Sequence, residues 1–308
     1  MTHTVFIDGA AGTTGLEIAE RLEGRGEFEL IRLSDAERKD EDARRHALNY
    51  ADFAILCLPD DAARDAVRLL DPAAGTRVID ASSAHRVASG WIFGFPEIVG
   101  AKVVAGAARV SNPGCYSTGF LALMTPLVRA RLLPADWPYT VHAVSGYSGG
   151  GKALIARFED DPDIAWRGYA LAMGHKHLPE MQQRAGLTHP PVFSPAVIPA
   201  HRGMVVEIPL PLAAMRTAAS PQKLRDELTR FYEGSPIITV AQDAPDELLL
   251  RKSMAPNDRM TLYVFADAGE RQARLVAMLD NLGKGASGAA VQSLNLMAGH
   301  DQTAGLNL

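Results

Sequence analysis

The chain has 308 residues, and at roughly 150 residues per domain this length suggests about two domains. Hydrophobic residues make up 47% and charged residues 22%, which excludes a disordered or collagen-like chain, and the net charge of -5 disfavours a nucleic-acid partner. Apolar runs are far shorter than the ~20 residues that cross a bilayer, and no secretory signal is evident. Two cysteines are too few for a disulfide scaffold. We therefore expect a cytoplasmic protein without a membrane partner.

The first third of the chain alternates short apolar runs with helical patterns. Strands are predicted over residues 5–7, 28–33, 53–58 and 77–80, with two shorter possible strands over 102–105 and 109–110. Helices are predicted after the first strand and over residues 62–70. This alternation is typical of a parallel sheet with helices on both faces.

The pattern changes after residue 115. It predicts a long helix over 118–133, strands over 139–144, 205–212 and 260–266, an apolar run of either type over 274–282, and a last helix over 286–297. We therefore predict an α/β fold with two domains. The first comprises residues 1–115 and is completed by a C-terminal helix over 284–308, and the second is an α+β domain over 116–283.

A glycine-bearing turn follows the first strand. Gly9, Gly12 and Gly15 are spaced G-x-x-G-x-x-G rather than the commoner G-x-G-x-x-G, and Thr13 and Thr14 lie between the last two. Such a turn lets backbone N–H groups approach a pyrophosphate at a helix N-terminus, so we assign these five residues to a dinucleotide of a Rossmann-type domain. The alternative is a glycine-rich connection that binds nothing, but the position after the first strand favours the nucleotide.

The segment after the second strand bears on the choice between NAD and NADP. Asp35 suits the ribose 2′-hydroxyl of NAD, whereas Arg32, Ser34, Arg38 and Lys39 suit a 2′-phosphate. A solvated turn of mixed charge explains any single one of these residues equally well. Taken together they favour NADP.

Cys115 is the candidate nucleophile. It follows a Pro-Gly turn where a helix is predicted to begin, and the positive end of a helix dipole favours the thiolate. Cys57 lies within an apolar strand pattern, so we expect a buried, inert thiol there. The spacing of the two cysteines predicts no zinc site.

Eight motifs follow one another along almost the whole chain. They are Gly9-Ala-Ala-Gly-Thr-Thr-Gly15, Asp80-Ala-Ser-Ser-Ala-His-Arg86, Gly94-Phe-Pro-Glu97, Ser111-Asn-Pro-Gly-Cys-Tyr116, Val144-Ser-Gly-Tyr-Ser-Gly-Gly-Gly-Lys152, Gly174-His-Lys-His-Leu-Pro-Glu180, His201-Arg-Gly203 and Lys284-Gly-Ala-Ser-Gly-Ala-Ala-Val-Gln292. In this order they resemble the N-acetyl-gamma-glutamyl-phosphate reductases, in the shorter of that family's two types. The resemblance implies a second domain of the semialdehyde/glyceraldehyde-phosphate dehydrogenase kind, and a homodimer or homotetramer built through its sheets.

The resemblance also implies a reaction. In this family NADPH reduces N-acetyl-glutamyl 5-phosphate to N-acetyl-glutamate 5-semialdehyde with release of phosphate, in arginine biosynthesis. Carried onto this sequence, Cys115 attacks the acyl phosphate, and one of His175 and His177 serves as acid and base, with His177 favoured. The two histidines are two residues apart, so on an extended segment both would point the same way. His201 is a third candidate.

The substrate is an anion, so recognition needs cations and polar donors. By resemblance we assign Arg86, Ser82, Arg202, His201 and Lys152 to the substrate and Asn281 to the cofactor side. Many relatives carry Ser-Ala-Asp-Phe-Arg where this chain has Ser-Ser-Ala-His-Arg. His85 thus departs from the family pattern, and a surface position is expected for it.

Two other functions remain open. An aspartate-semialdehyde dehydrogenase shares the architecture and the thiol–hydride chemistry, but the Gly174–Glu180 motif argues against it by resemblance. A non-enzymatic NADP-sensing protein would need the glycine turn but no nucleophile, so an unreactive Cys115 would favour it.

Overall fold

The computed structural model describes residues 2–308, which form two compact units. The first contains the residues up to Pro113 together with Ala286–Leu306, and the second contains Gly114–Gly285 with Asn307–Leu308. The boundaries predicted from the sequence are after residue 115 and before residue 284. None of the helices formed by residues 2–308 is both long enough and apolar enough to cross a membrane.

The first unit is built on a six-stranded parallel sheet. Its elements in chain order are β1 (His3–Asp8), α1 (Thr13–Leu22), β2 (Phe28–Ile31), α2 (Glu41–Tyr50), β3 (Phe53–Leu56), α3 (Asp60–Arg68), β4 (Arg77–Asp80), β5 (Ile92–Phe93), α4 (Pro96–Val99), α5 (Ala101–Ala105) and β6 (Arg109–Ser111). The strand order is β2-β1-β3-β4-β6-β5, and all pairs are parallel. The predicted parallel sheet is confirmed, and its strands end at a common carboxyl edge.

The second unit contains a seven-stranded mixed sheet. Its elements are α6 (Cys115–Arg129), β7 (Thr140–Gly146), α7 (Gly151–Asp160), β8 (Arg167–Gly168), α8 (Leu178–Ala185), β9 (Val192–Ile198), β10 (Met204–Leu210), α9 (Pro221–Phe231), β11 (Ile238–Val240), β12 (Met260–Ala266) and β13 (Ala273–Leu279). The strand order is β11-β12-β13-β10-β7-β9-β8. The helix α6 packs on one face so closely that a Cβ at Gly119 would lie 2.8 Å from Val206. Alternate residues of β10 are less buried, which agrees with a sheet that has one more open face.

The last helix, α10 (Gly288–Met297), belongs to the first unit. The alternation of side chains along the parallel strands divides the core of this unit into two layers. Val5, Ile55 and Ile79 pack with α1 and α10, whereas their neighbours in sequence, Phe6, Ala54 and Val78, pack with α2 and α3. Helices therefore cover both faces of the sheet, as the sequence pattern predicts.

Several predicted boundaries are wrong. Residues 102–105, predicted as a possible strand, form α5, which begins after Gly100 in a conformation with a positive φ of 99°. The helix predicted over 118–133 begins at Cys115 and ends at Arg129. The apolar run over 274–282, for which strand and helix were both left open, forms the strand β13. The strands β5, β8, β9 and β11 and the helices α2, α4, α7, α8 and α9 were not predicted.

Candidate active site

The predicted nucleotide turn lies at the carboxyl end of β1. Gly9 has φ of 88°, and a Cβ there would lie 2.3 Å from the carbonyl oxygen of Cys57. A Cβ at Gly15 would lie 2.6 Å from the carbonyl oxygen of Gly9. The same oxygen accepts a hydrogen bond from the N–H of Gly12 at 3.0 Å. Larger residues at Gly9 and Gly15 would therefore push the turn apart.

This turn has the features that an anionic group requires. Gly12 is the N-cap of α1, and Thr13 and Thr14 open the helix, where the first backbone N–H groups have no partner within the helix. The hydroxyl of Thr13 is shielded from solvent and has no hydrogen-bond partner in the described part of the chain. A cradle closed by glycines at the positive end of a ten-residue helix fits a pyrophosphate.

The segment predicted to select the nucleotide is an exposed turn of mixed charge. The N–H of Ser34 donates to the carboxylate of Glu37 at 2.7 Å, and this turn lowers the pKa of Glu37, chiefly through its hydrogen bonds to Ser34. Arg38 pairs with Asp35, and Lys39 is exposed. The basic side chains are thus accessible next to β2, but two carboxylates lie among them.

His85 does not occupy the predicted surface position. Its Nδ1 lies 2.6 Å from Oδ2 of Asp80, which is fully buried, and its ring stacks on Trp91 with the centroids 4.2 Å apart. Only 12% of the side chain is exposed. Ser82, predicted to bind substrate, donates its hydroxyl to the same carboxylate at 2.8 Å. The prediction missed this cluster because Asp80 and Trp91 become neighbours of His85 only in the folded chain.

Arg86, another predicted substrate ligand, is buried. Its Nε donates to the carbonyl oxygen of Asn112 at 3.0 Å, and its Nη2 donates to that of Ala81 at 3.4 Å. These bonds connect the loop after β4 to the residue that follows β6. In this structure the guanidinium holds the ends of two strands together.

The candidate nucleophile is the first residue of α6. Gly114 is the N-cap, and Cys115 is partly exposed. A Cβ at Gly285 would lie 3.0 Å from the Cβ of Cys115, so a glycine at this position keeps the space beside the cysteine open. By contrast, burial raises the pKa of the Cys57 thiol to about 12, helped by the charges of Asp80 and Asp8. Cys57 is half-buried and follows the end of β3, rather than lying within the strand as predicted.

Both predicted histidines lie against Tyr116, the residue after the candidate nucleophile. The ring centroid of Tyr116 is 5.9 Å from those of His175 and His177. The extended segment predicted for the pair is wrong, because His177 has helical dihedral angles as the N-cap of α8 and the two rings are nearly perpendicular. A turn therefore directs the two imidazoles differently.

The hydrogen bonds of His175 identify its tautomer. Its Nδ1 accepts the backbone N–H of His177 at 3.1 Å, and its Nε2 lies 3.2 Å from the hydroxyl of Tyr169. In the neutral ring the nitrogen that accepts carries no proton, so Nε2 holds the proton and donates it to Tyr169. Burial raises the pKa of Tyr169 to about 12 and keeps it a phenol at neutral pH. His175 is thus engaged through both nitrogens.

Glu180 is a residue of this site that the sequence analysis did not single out. It lies in the first turn of α8, is 1% exposed, and accepts the N–H of Gly114 at 3.2 Å through Oε2. It therefore connects the turn of the histidines to the N-terminus of the helix that carries Cys115. The only signal in the sequence was its place at the end of the motif that contains both histidines.

Two further predicted residues, Arg202 and Asn281, lie at or next to a buried ion pair in the second unit. Nη1 of Arg202 lies 2.8 Å from Oδ2 of Asp280, which is fully buried. Asn281 accepts the N–H of Gly203 at 2.9 Å and donates to the hydroxyl of Ser148 at 3.0 Å. Both polar atoms of the Asn281 side chain thus make hydrogen bonds within this unit, and its predicted contact with the cofactor stays a prediction.

Two predicted substrate ligands are exposed. Lys152 lies in the first turn of α7, and His201 packs edge-on against Tyr147 with the centroids 5.6 Å apart. The glycine-rich stretch that precedes Lys152 is a 3₁₀ turn that leads into α7. Lys152 and His201 are therefore the members of the predicted substrate set that are open to an anionic ligand.

Comparisons with known proteins show which families and relatives the chain resembles. The profile "Semialdehyde dehydrogenase, NAD binding domain" matches residues 4–106, and "Semialdehyde dehydrogenase, dimerisation domain" matches residues 115–281. An N-acetyl-gamma-glutamyl-phosphate reductase of Trichormus variabilis is 45% identical over 98% of both chains. Another, of Brucella anthropi, is 47% identical over 97% of this chain and 99% of the relative.

Solved structures show the same fold at low sequence identity. Aspartate semialdehyde dehydrogenase II of Vibrio cholerae, complexed with ASA, has a TM-score of 0.69 at 18% identity and covers 96% of this chain and 98% of that chain. The enzyme of Candida albicans, solved with NADP, has a TM-score of 0.67 at 16% identity and covers 97% of this chain and 99% of that chain.

Proposed function

The chain belongs to the N-acetyl-gamma-glutamyl-phosphate reductases of the semialdehyde dehydrogenase family, and on that premise we propose that it reduces N-acetyl-L-glutamyl 5-phosphate to N-acetyl-L-glutamate 5-semialdehyde with NADPH, in arginine biosynthesis. The observation that carries this proposal is the position of Cys115. It opens a long helix beside Gly285, and the turn that bears His175 and His177 is tied to the same helix end by Glu180.

The first chemical step is acyl transfer to the protein. The thiolate of Cys115 attacks the acyl carbon, the bond from that carbon to the phosphate oxygen breaks, and phosphate leaves with the bonding electrons. The N-terminus of α6 supports the thiolate and offers backbone N–H groups to the oxyanion of the tetrahedral intermediate. The product is a thioester, which divides one difficult displacement into two easier ones.

The second step is reduction of the thioester. The bound cofactor supplies the hydride. The imidazole of His177 gives a proton to the oxygen of the thiohemiacetal as negative charge develops there and takes it back as the C–S bond breaks, which releases the aldehyde and restores the thiolate. The pairing of His175 with Tyr169 and with the His177 backbone orients this turn.

For the cofactor we propose NADP, held by the predicted residues. Gly9, Gly12, Thr13, Thr14 and Gly15 would enclose the pyrophosphate, since the glycine cradle and the start of α1 fit that group. Ser34, Arg38 and Lys39 would meet the 2′-phosphate, which would take the place of Asp35 and Glu37 as their anionic partner.

For the substrate we propose the predicted set of Ser82, Arg86, Lys152, His201 and Arg202. Hydrogen bonds and an ion pair within the protein fix the side chains of Ser82, Arg86 and Arg202, so these would bind the substrate from loops that are already ordered. Lys152 and His201 are exposed and would contact its charged groups directly.

We assign the nucleotide mainly to one part of the chain and the substrate mainly to the other. Residues 1–115 with the C-terminal helix would bind the nucleotide and also provide Ser82 and Arg86 for the substrate. Residues 116–283 would provide the other substrate ligands and form a homodimer or homotetramer, consistent with the dimerisation profile over the second part. Reduced thiols and NADPH are maintained in the cytoplasm, where we expect the reaction to occur.

The proposed reaction is tested in reverse. The purified protein should reduce NADP⁺ in the presence of phosphate and N-acetyl-glutamate 5-semialdehyde, and aspartate semialdehyde should give a kcat/KM at least about a hundredfold lower, because a substrate that lacks the acetamido group leaves polar groups of the site unpaired. Equal or better turnover of aspartate semialdehyde would assign the chain to the alternative reaction. A protein that binds NADP⁺ but turns over neither aldehyde would be a nucleotide sensor.

Selectivity for NADP should depend on Arg38 and Lys39. Replacing both by alanine should raise the KM for NADPH by about tenfold or more and change the KM for NADH little, because each side chain offers a cation to the 2′-phosphate. The matched control is the double alanine variant of Arg64 and Arg68, which also have exposed aspartate partners three residues away. Wild-type protein that already uses NADH as efficiently as NADPH would contradict this assignment.

A further inference from the structure

The contacts around His85 define which of its ring nitrogens donates a hydrogen bond and which accepts one. A buried carboxylate accepts hydrogen bonds, so the close contact between Asp80 and Nδ1 of His85 requires the proton on Nδ1. The N–H and the hydroxyl of Ser82 also donate to this carboxylate, at 2.9 and 2.8 Å. The stack on Trp91 fixes the plane of the ring. In the neutral ring Nε2 of His85 is thus an oriented acceptor, and it has no hydrogen-bond partner among residues 2–308.

The position of His85 in the sheet suggests what this acceptor meets. The glycine turn follows β1 and the basic segment follows β2, so the adenosine side of a dinucleotide would lie toward β2. The nicotinamide half of the dinucleotide must then extend away from β2, over the ends of β3 and β4. Asp80 is the last residue of β4, two strand spacings or about 10 Å from β1.

We propose that His85 is a cofactor-binding residue whose Nε2 accepts a hydrogen bond from the nicotinamide riboside half of the dinucleotide, with Asp80 and Trp91 as its positioning residues. The donor is a ribose hydroxyl or the carboxamide N–H, both of which lie in that half. This inference rests on the nicotinamide cofactor of the proposed function. It assigns a role to the residue at which this chain departs from the family's Ser-Ala-Asp-Phe-Arg pattern.

The test compares two ligands by calorimetric titration, without turnover. NADP⁺ contains the nicotinamide half, and adenosine 2′,5′-bisphosphate lacks it. His85→Asn keeps an N–H donor in place of Nδ1 for Asp80 but removes the acceptor at Nε2, and His85→Phe keeps only the aromatic stack. In both variants the Kd for NADP⁺ should rise by about tenfold, the size of one hydrogen bond, while the Kd for the bisphosphate stays within about twofold of wild type.

The control is His46→Asn, since His46 is an exposed histidine of α2 that also stacks on an aromatic ring, Tyr50. This variant should bind both ligands as wild type does. Unchanged binding of NADP⁺ by His85→Asn would overturn the inference, and so would equal weakening of both ligands, which would indicate a merely structural role. If wild type bound neither ligand, the proposed nicotinamide cofactor itself would be wrong.

Discussion

Replacing Cys115 by serine should lower kcat for the reduction of the acyl phosphate by about 10⁴-fold or more, because loss of a covalent nucleophile removes the route that the remaining groups serve. A serine hydroxyl is not ionised at neutral pH, and the helix terminus that supports a thiolate does not make it a comparable nucleophile. The substitution keeps the size of the side chain at the start of α6, so NADP⁺ binding measured by calorimetry should be unchanged.

Cys57 is the matched control. Its pKa is raised to about 12 by burial and by two nearby carboxylates, so the fraction of thiolate at pH 7–9 is very small. Cys57→Ser should therefore retain nearly full activity. Iodoacetamide at pH 7–8 should label Cys115 and not Cys57, and the label at Cys57 should appear only as the pH approaches the raised pKa.

Two results would remove Cys115 from its role. One is an equal loss of activity in both serine variants when both are folded. The other is preferential alkylation of Cys57 in the wild-type protein at neutral pH, which would mean that the more reactive thiol is the one beside the glycine turn. The second result would favour a protein that binds the nucleotide without covalent catalysis by Cys115.

The parts of the fold that were predictable are those in which local and long-range forces agree. The apolar run of β1, the glycines that follow it and the amphipathic α1 each favour the structure that they adopt. Strands such as β3 are buried on both faces and therefore read as continuous apolar runs. These features were sufficient to predict the parallel sheet and the position of the nucleotide turn.

Prediction failed where a short apolar run has no periodicity of its own. Residues 102–105 read as a strand, but only Val104 is fully buried, and Val103 is exposed, as one face of a helix requires. Gly100, with its positive φ, begins a new helix there instead of a strand. The glycine is visible in the sequence, but the packing that favours a helix over a strand at residues 102–105 is not.

The candidate site shows a similar division. The sequence pattern and the family resemblance predicted Cys115 and the two histidines as candidates, but they did not predict the residues that contact them. His85 read as a surface residue because its neighbours, Asp80 and Trp91, contact it only through tertiary structure. Glu180 contacts Gly114 across 66 positions of sequence, which no local pattern encodes.

Replacing His177 by asparagine should lower kcat by about a hundredfold or more and remove one limb of the pH–rate profile, because the group that exchanges a proton with the thiohemiacetal oxygen is then missing. An imidazole with an ordinary pKa near 6.5 suits that exchange at neutral pH. We propose His177 rather than His175 for this exchange, because both nitrogens of His175 are engaged, one with Tyr169 and one with the backbone of His177. His175→Asn should therefore lower kcat less and leave the pH limb in place.

The control is His189→Asn, since His189 is an exposed histidine of the same unit and its replacement should leave kcat and the pH profile unchanged. Tyr169→Phe removes the hydroxyl that Nε2 of His175 faces, and it should reproduce the effect of His175→Asn if that pair acts only by orienting the turn. Near-normal kcat in His177→Asn, with the pH limb retained, would show that the pair is structural and would make His201 the next candidate. Loss of the pH limb in His175→Asn instead would reverse the two roles, because a group that only positions its neighbour does not carry the titration.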